Sequence, residues 1–396
     1  MDPIQERIDA MNQRVAGIQQ AGMYFYLQPL EDLDGAWATV NGRRMLIFAS
    51  YGYLDLLGHP KINAAAQEAL ARYGTGTHGV RILAGTLPLH NELEQTIARF
   101  KNAEAAIVYS SGYVTNVAVV SSLVGRKDVV ICDKFDHASI VDGCLLSQAK
   151  LVRFRHNDMA DLERRLRQAD PNVGRLVIVD AVFSMDGDII NLPEVSRLCR
   201  KYDTLLMVDE AHSLGVLGET GHGIEEHFGL GEVVDIKMGT LSKTIPSVGG
   251  YVAGSQGLIT YLKHVSRAFV FSAALPPAQT AAAKAAFEVM EQEPERGRKV
   301  RRNVVQFLTG LKARGFNTLN SETPIVPIIC GEDERAFQMT KLCQEENIFV
   351  LPVVSPAVPV GLARLRANVT AAHSEEDIAL ALDVFERAGR AAGVIE

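Results

Sequence analysis

Three separated segments carry residues whose types and spacing fit one chemistry. The apolar run Leu205-Leu206-Met207-Val208 ends in Asp209-Glu210-Ala211-His212. An acid therefore sits at the carboxyl end of a strand, the edge of an open α/β sheet where ligands bind. Further on, Thr240-Leu241-Ser242-Lys243 follows the β-run Asp235–Met238 and sets a lysine just past another strand end. Upstream, Ser110-Ser111-Gly112-Tyr113-Val114-Thr115-Asn116 joins a β-run to a helix. Its small residues can turn backbone N–H groups toward a phosphate at the helix N-terminus. A lysine amine, a strand-end carboxylate and a phosphate cup are together what pyridoxal phosphate requires. The amine condenses with the aldehyde, and the carboxylate keeps the pyridine nitrogen protonated so that the ring withdraws electrons. A charge-assisted hydrogen bond of that kind is worth roughly 1.5–3 kcal/mol. Taken singly, Asp209 reads as a helix cap and Lys243 as a solvated surface lysine. Their combination with the phosphate loop favours the cofactor.

Two more residues join the constellation. His137, in DKFDHASIVDGC, follows the β-run Val129–Cys132 and can stack an imidazole on the cofactor ring. Ser184, in VDAVFSMDGD, follows another strand and can hydrogen-bond the cofactor's phenolic oxygen. Two other patterns are decoys. Gly74-Thr75-Gly76-Thr77-His78-Gly79 matches a dinucleotide fingerprint letter for letter, but a helical segment precedes it where a strand is needed. A turn that uses positive φ explains those glycines better. His222 and His227 invite a metal reading, yet their spacing turns the imidazoles to different helical faces and no cysteine cluster accompanies them. No metal is expected.

The elements that must position these residues alternate. Helical patterns cover Pro60–Tyr73, Leu87–Phe100, Asp158–Gln168 and Leu192–Tyr202. Between and beyond them lie short β-runs at Ala106–Tyr109, Val129–Cys132, Leu151–Phe154, Leu176–Asp180, Leu205–Asp209, Asp235–Met238 and Gly250–Ala253. Several are apolar throughout, as strands covered on both faces must be. The alternation predicts a doubly wound α/β layer. An amphipathic stretch, Ile4–Gly22, precedes it, and a charged run, Glu291–Arg302, interrupts it as an exposed connecting helix or linker. Three later β-runs, Ile325–Cys330, Ile348–Val354 and Ala363–Val369, describe a smaller C-terminal α/β domain. The expected division is a segment 1–50, a large cofactor domain 51–285 and a small domain 286–396.

Composition narrows the partners. The chain has 396 residues and a net charge of −7, with no basic stretch suited to nucleic acid or anionic lipid. Ala105–Gly125 is free of charge but contains Ser110, Ser111, Asn116, Ser121 and Ser122, too many polar groups for hydrocarbon. The charged N-terminus lacks the apolar core of a secretory signal. Five scattered cysteines form no disulfide or zinc pattern, and a reducing, cytoplasmic setting is expected.

At these residues the chain resembles the α-oxoamine synthase family of fold-type I pyridoxal-phosphate enzymes. The likeness runs from about Tyr24 to the end. It is carried by GTGTHGVRILAGTLPLHNELE, SSGYVTN, DHASIVDGC, FSMDGD, VDEAHSLGVLGETGHG, GTLSKT, FSAALPP and GLARLRANVTAAH. Within the family, SYGYL, DHASIVDGC, KLVRFRHNDMADL and AGRAAGVI look most like soluble bacterial serine palmitoyltransferases. The 2-amino-3-ketobutyrate CoA ligases and 8-amino-7-oxononanoate synthases are also similar. The resemblance implies a mixed doubly wound sheet and a role for each matching residue. Lys243 would bond the cofactor and then act as base, and Asp209 would pair with the pyridine nitrogen. His212 and Ser184 would contact the phenolic oxygen, while Gly112, Tyr113 and Thr240 would hold the cofactor near its phosphate. His137 would stack on the ring and orient the substrate carboxylate, which Arg366 would bind with its guanidinium fork. Ser272 and Ala273 match a segment that reaches the neighbouring subunit's phosphate, so a homodimer is implied.

The implied reaction joins a small amino acid (serine, glycine or alanine) to an acyl-CoA or acyl-carrier-protein thioester and releases CoA and CO₂. Departures from the family pattern bear on the substrate. Gly52 stands where relatives carry the asparagine of SYNYLG, and Asp55 replaces the glycine of that motif. His222 stands within the usual Gly-Arg-Gly, and FSAALPP lacks the threonine of FTASLPP. The change at Gly52 removes an amide near the amino-acid site.

Overall fold

Strands rich in Val, Ile, Leu and Met offer little surface suited to water, so they stack into a covered sheet. The computed structural model describes residues 2–396. Seven strands form the main sheet: β1 (Ala105–Tyr109), β2 (Val129–Asp133), β3 (Lys150–Phe154), β4 (Arg175–Asp180), β5 (Leu205–Asp209), β6 (Ile236–Thr240) and β7 (Gly250–Gly254). Their order is β1-β7-β6-β5-β4-β2-β3, and within this sheet β7 alone runs against its neighbours. The sheet is thus mixed and doubly wound. All six other strands end on one edge. Register pairs Asp180 with Asp209 and Asp209 with Met238 there, so three strand ends meet side by side.

Two helices settle on the sheet and face that edge. Helix α1 (Gly112–Leu123) begins where Ser111 accepts a hydrogen bond from the Val114 N–H, an N-cap. Helix α2 (Ala138–Ser147) is capped by His137, whose ring accepts from the Ser139 N–H. Val119, Val120, Ile140 and Cys144 of these helices pack with Ile107, Val130, Ile178, Met207 and Met238 of the sheet in one core. The helices approach closely because Gly143 has no side chain: a Cβ there would lie 3.0 Å from the Asn116 carbonyl oxygen. The helices Pro60–Tyr73, Pro88–Phe100 and Pro277–Gln292 each start on a proline, whose fixed φ and missing N–H suit the first helical position.

The chain divides into two compact units, one of residues 51–302 and 322–324, the other of residues 1–50, 303–321 and 325–396. In the second unit, Trp37–Val40 and Arg43–Ile47 form a hairpin within a four-stranded sheet. Ile325–Gly331, Ala363–Asn368 and Leu351–Val353 form a three-stranded sheet. Phe48 stacks on Phe307 at 5.2 Å and lies tilted against His373 at 4.4 Å in this unit's core. Residues 1–50 therefore belong with the C-terminal part of the chain rather than standing apart. The division after residue 302 falls inside the helix Glu295–Ala313, well beyond residue 285. The charged run is helical from Glu295 onward because one helix ends at Gln292 and the next starts almost at once. No side chain of the first helix, Pro3–Gln20, is fully buried, and Ile4, Ile8 and Met11 are exposed. The GTGTHG segment follows a helix, as expected, with positive φ at Gly74 and Gly79 (76° and 135°).

An ion pair sits beneath the functional edge. Lys101 Nζ lies 2.7 Å from Glu210 Oε1, and both side chains are only 2% exposed. Glu210 also accepts from the Ser213 hydroxyl at 2.7 Å and the Ile224 N–H at 3.0 Å. Removing one partner of such a pair strands a buried charge. Lys101→Met should lower unfolding stability by about 3 kcal/mol or more in urea. Loss of the exposed Arg44–Asp34 pair should change it by less than about 1 kcal/mol.

Candidate active site

Asp209 closes β5 and is buried, so its carboxylate needs partners within the protein. The Ala211 N–H donates to Oδ1 at 2.8 Å and Asn116 Nδ2 to Oδ2 at 2.7 Å. Asn116 comes from α1, and its amide also donates to the Ser139 hydroxyl oxygen at 2.9 Å. Ser139 in turn lies 2.7 Å from Nδ1 of His137. Asp180, at the end of β4, accepts the His137 N–H at 2.9 Å. Burial and the neighbouring Asp209 push its carboxyl well above the usual carboxylate range. Burial likewise lowers the His137 imidazole below its ordinary value, with Asp209 opposing and Lys243 reinforcing that shift.

Lys243 follows β6 on the other side of Asp209. Its Nζ lies 2.8 Å from His212 Nε2, and the far nitrogen, Nδ1, is 2.8 Å from the Tyr53 hydroxyl. Tyr53 is fully buried and His212 nearly so. The Tyr51 ring stands near both, with its centroid 5.7 Å from Lys243 Nζ. Lysine, histidine and tyrosine form one line of hydrogen-bonding groups.

The third component is the start of α1. Amides in the first turn of a helix have no intrahelical acceptor, and those of Gly112 and Tyr113 lie there. Thr240 and Ser242 add hydroxyls 2.8 Å apart beside them. Gly112 must be glycine: a Cβ would fall 2.8 Å from Thr240 Oγ1 and 3.0 Å from its Cβ. These groups enclose a pocket of about 240 Å³, whose wall also carries Ser184, Asp180 and Ala211. Amide and hydroxyl donors at one end, a buried carboxylate at the other and an amine between them suit a planar, phosphorylated aldehyde. Asn116 Oδ1, buried in the same wall, has no partner among the described residues. The donor set fits pyridoxal phosphate.

The structure brings together most residues singled out in the sequence. Gly112, Tyr113, His137, Ser184, Asp209, His212, Thr240 and Lys243 all line this pocket. Ser272 and Ala273 do not; Ala273 bridges to Val80 on the segment after Arg267–Val270. Arg366 lies buried on Ala363–Asn368 in the other unit, opposite Pro327 and Leu351. His222 stacks on Phe100 at 4.3 Å, with Nδ1 bonded to Thr220, and is no partner of His227. Asn116, Ser139, Asp180 and Tyr53 were not assigned roles from the sequence. Asn116 had a signal: a polar side chain on a buried face of an apolar helix must find a partner. Tyr53 had none.

Ser184 sits on a tight hairpin in which Val182 bridges to Ile189. His156 clamps it. Its Nδ1 is 3.0 Å from Asp133 and its Nε2 2.9 Å from Asp188, while Phe135 stacks on one face at 4.5 Å. Two carboxylate acceptors require two N–H donors, so the ring is an imidazolium. Burial opposes that charge, but the two carboxylates outweigh it and raise the pKa to about 10.

Fold and pocket together define a pyridoxal-phosphate-dependent transferase of fold type I. The sequence matches the class I and II aminotransferase family over residues 43–385. It is 42% identical to the 8-amino-7-oxononanoate synthase of Thermoanaerobacter pseudethanolicus, covering 98% of both chains. It is also 42% identical to the serine palmitoyltransferase of Sphingobacterium spiritivorum, covering 97% of this chain and 96% of the other. A solved structure of serine palmitoyltransferase with pyridoxal phosphate as the internal aldimine superposes with a TM-score of 0.96 at 33% identity, covering 100% of both chains. The chain belongs to the class I and II aminotransferase family and, within it, to the α-oxoamine synthases, which are pyridoxal-phosphate-dependent acyltransferases.

Two outcomes test this geometry. Gly112→Ala should weaken retention of pyridoxal phosphate by about tenfold or more, read by equilibrium dialysis, with the fold intact. The His156 pKa is raised on folding from 6.5 to about 10, so its stabilisation is complete below 6.5 and disappears as pH rises through about 10. The urea midpoint of wild type should exceed that of His156→Gln near neutrality, and the gap should close toward that upper value. A gap independent of pH would mean the imidazolium clamp is absent.

Proposed function

We propose that the pocket joins a small amino acid to an acyl thioester, forming an α-amino ketone with loss of CoA and CO₂. The observation that carries this reading is Lys243 Nζ held 2.8 Å from His212 beside the buried Asp209 carboxylate, in a chain of this family. Bound pyridoxal phosphate supplies an electron-withdrawing ring that accepts the electron pair left at the amino acid's α-carbon. The protein does the rest. Lys243 Nζ removes the α-proton, and His212, backed by the Tyr53 hydroxyl, holds that amine in place. Asp209 fixes the ring nitrogen, with its own two oxygens aimed by Asn116 and Ala211. Amides of Gly112 and Tyr113 and the Thr240 hydroxyl receive the phosphate. His137 and Ser184 line the same pocket, where His137 would stack on the ring and orient the substrate carboxylate and Ser184 would contact the phenolic oxygen. Arg366 is proposed as the carboxylate ligand from its motif match.

The balance is complete without a redox partner. The α-C–H bond breaks, the α-carbon bonds to the acyl carbonyl, and the C–S bond breaks to give CoA thiol. The carboxyl–α-carbon bond then breaks to give CO₂, and a proton returns to that carbon. Equal identity to an 8-amino-7-oxononanoate synthase and a serine palmitoyltransferase supports two acyl donors of very different length. At ~0.8 kcal/mol per buried CH₂, chain length strongly affects donor affinity.

The same reading includes a homodimer in the cytoplasm. Ile4, Ile8 and Met11 on the first helix, and Leu83 and Phe271 in the 51–302 unit, are exposed apolar residues that a second copy would cover. Ser272 and Ala273 follow Phe271 and would reach the partner's phosphate site. No helix among the described residues is long and apolar enough to cross a membrane.

The test pairs glycine, L-alanine and L-serine with acyl-CoA donors from acetyl to palmitoyl, and with acylated carrier protein, while recording free thiol and CO₂. Stoichiometric thiol and CO₂ from at least one pair are expected, with Lys243→Ala inactive and without covalently reducible cofactor. Conversion of the amino acid to its keto acid without thiol release would instead identify an aminotransferase.

A further inference from the structure

His137 caps α2 through its side chain, an uncommon use of a histidine. The cap works only if Nδ1 carries a lone pair, because the Ser139 backbone N–H donates to it at 3.3 Å. The Ser139 hydroxyl lies 2.7 Å from the same nitrogen, and its direction is set from further away. Asn116 presents its amide nitrogen to Asp209, since turning the amide oxygen there would oppose a carboxylate. The second hydrogen of that NH₂ goes to the Ser139 oxygen at 2.9 Å. With its oxygen already accepting, Ser139 donates its own hydrogen onward to His137. The order of donation is therefore fixed: Asn116 gives to Asp209 and to Ser139, and Ser139 gives to Nδ1 of His137.

We propose, on the pyridoxal-phosphate reading of this pocket, that Asn116 and Ser139 are positioning residues that lock His137 as the neutral tautomer with its proton on Nε2. In that form the ring has no basic nitrogen to offer. Nδ1 is committed to the helix cap and the Ser139 hydroxyl, and Nε2–H is a donor. His137 thus serves as a fixed hydrogen-bond donor to an anionic group of the substrate or cofactor, not as an acid or base. Proton removal falls to Lys243 with His212 and Tyr53. The charged groups facing His137 are Asp209 at the end of β5, Asp180 at the end of β4, Asp142 on α2, and Lys243 after β6. Burial opposes a second proton, in keeping with the neutral ring.

The test is nitrogen NMR of the pyridoxal-phosphate-loaded enzyme containing isotope-labelled histidine, with the His137 signals assigned by loss in His137→Asn. Nε2 should be protonated and Nδ1 unprotonated across about pH 6 to about pH 9. Ser139→Ala keeps the backbone donor and removes one hydrogen bond. It should lower kcat about threefold to tenfold. It should also bring a protonated Nδ1 population into view on the acid side, while Ser139→Thr restores both readings. Asn116→Asp should draw the Ser139 hydroxyl away from His137 and raise the same population. An Nδ1-protonated or doubly protonated His137 at neutral pH in the wild type would overturn the assignment. So would Ser139→Ala with wild-type signals and an unchanged pH–rate profile. The NMR readout needs no turnover, so failure of the acyl-transfer reaction and failure of the tautomer lock are seen separately.

Discussion

A carboxylate buried at the end of a strand has to be satisfied by the protein around it, and Asp209 is that group here. An amide from α1 and a backbone N–H from its own loop supply hydrogen bonds to its two oxygens. Everything near it follows from that demand. Helix α1 must start close to β6, which requires Gly112, and α2 must lie against α1, which requires Gly143. Below, the neighbouring Glu210 is neutralised by Lys101 and thereby holds the following turn. A single unpaired charge at this edge would cost more than any one apolar contact returns.

The same edge keeps its ionisable groups distinct by environment. Asp180 and Asp136 are buried near other carboxylates, and both are pushed well above the usual range. His156 meets two carboxylates and is charged, whereas His137 meets donors and is neutral. His212 stands between a tyrosine and a lysine. Three histidines within one α/β unit thus hold different hydrogen-bonding roles, and the atoms facing each nitrogen decide which.

Much of the scaffold was legible because its signals are local. Apolar runs marked the seven strands, the helical patterns Pro60–Tyr73 and Leu87–Phe100 hold to within a residue, and glycines after Tyr73 marked a turn, whereas the helix Pro277–Gln292 was not read. The strand-end motifs placed Asp209, Lys243, His137 and Ser184 on one edge before any contact was known. The charged run Glu291–Arg302 left a connecting helix and a linker both open, and the helix holds from Glu295 onward, since Glu, Arg and Lys are good helix formers. The N-terminal fifty residues looked separate because their companions in the same unit lie some three hundred positions later.

The sequence by itself determined the layered α/β architecture, the chemistry of the lysine and the strand-end aspartate, and the family. Each depends on residue type and short-range spacing. Only the tertiary structure decided that Asn116 serves Asp209, that Ser139 joins Asn116 to His137, and that Tyr53 backs His212. Those partnerships link α1 to β5 and α2, and the 51–59 segment to the loop after β5. Hydrogen bonds between such distant positions exist only once backbone packing has brought the elements within about 3 Å of contact, and no local pattern encodes them.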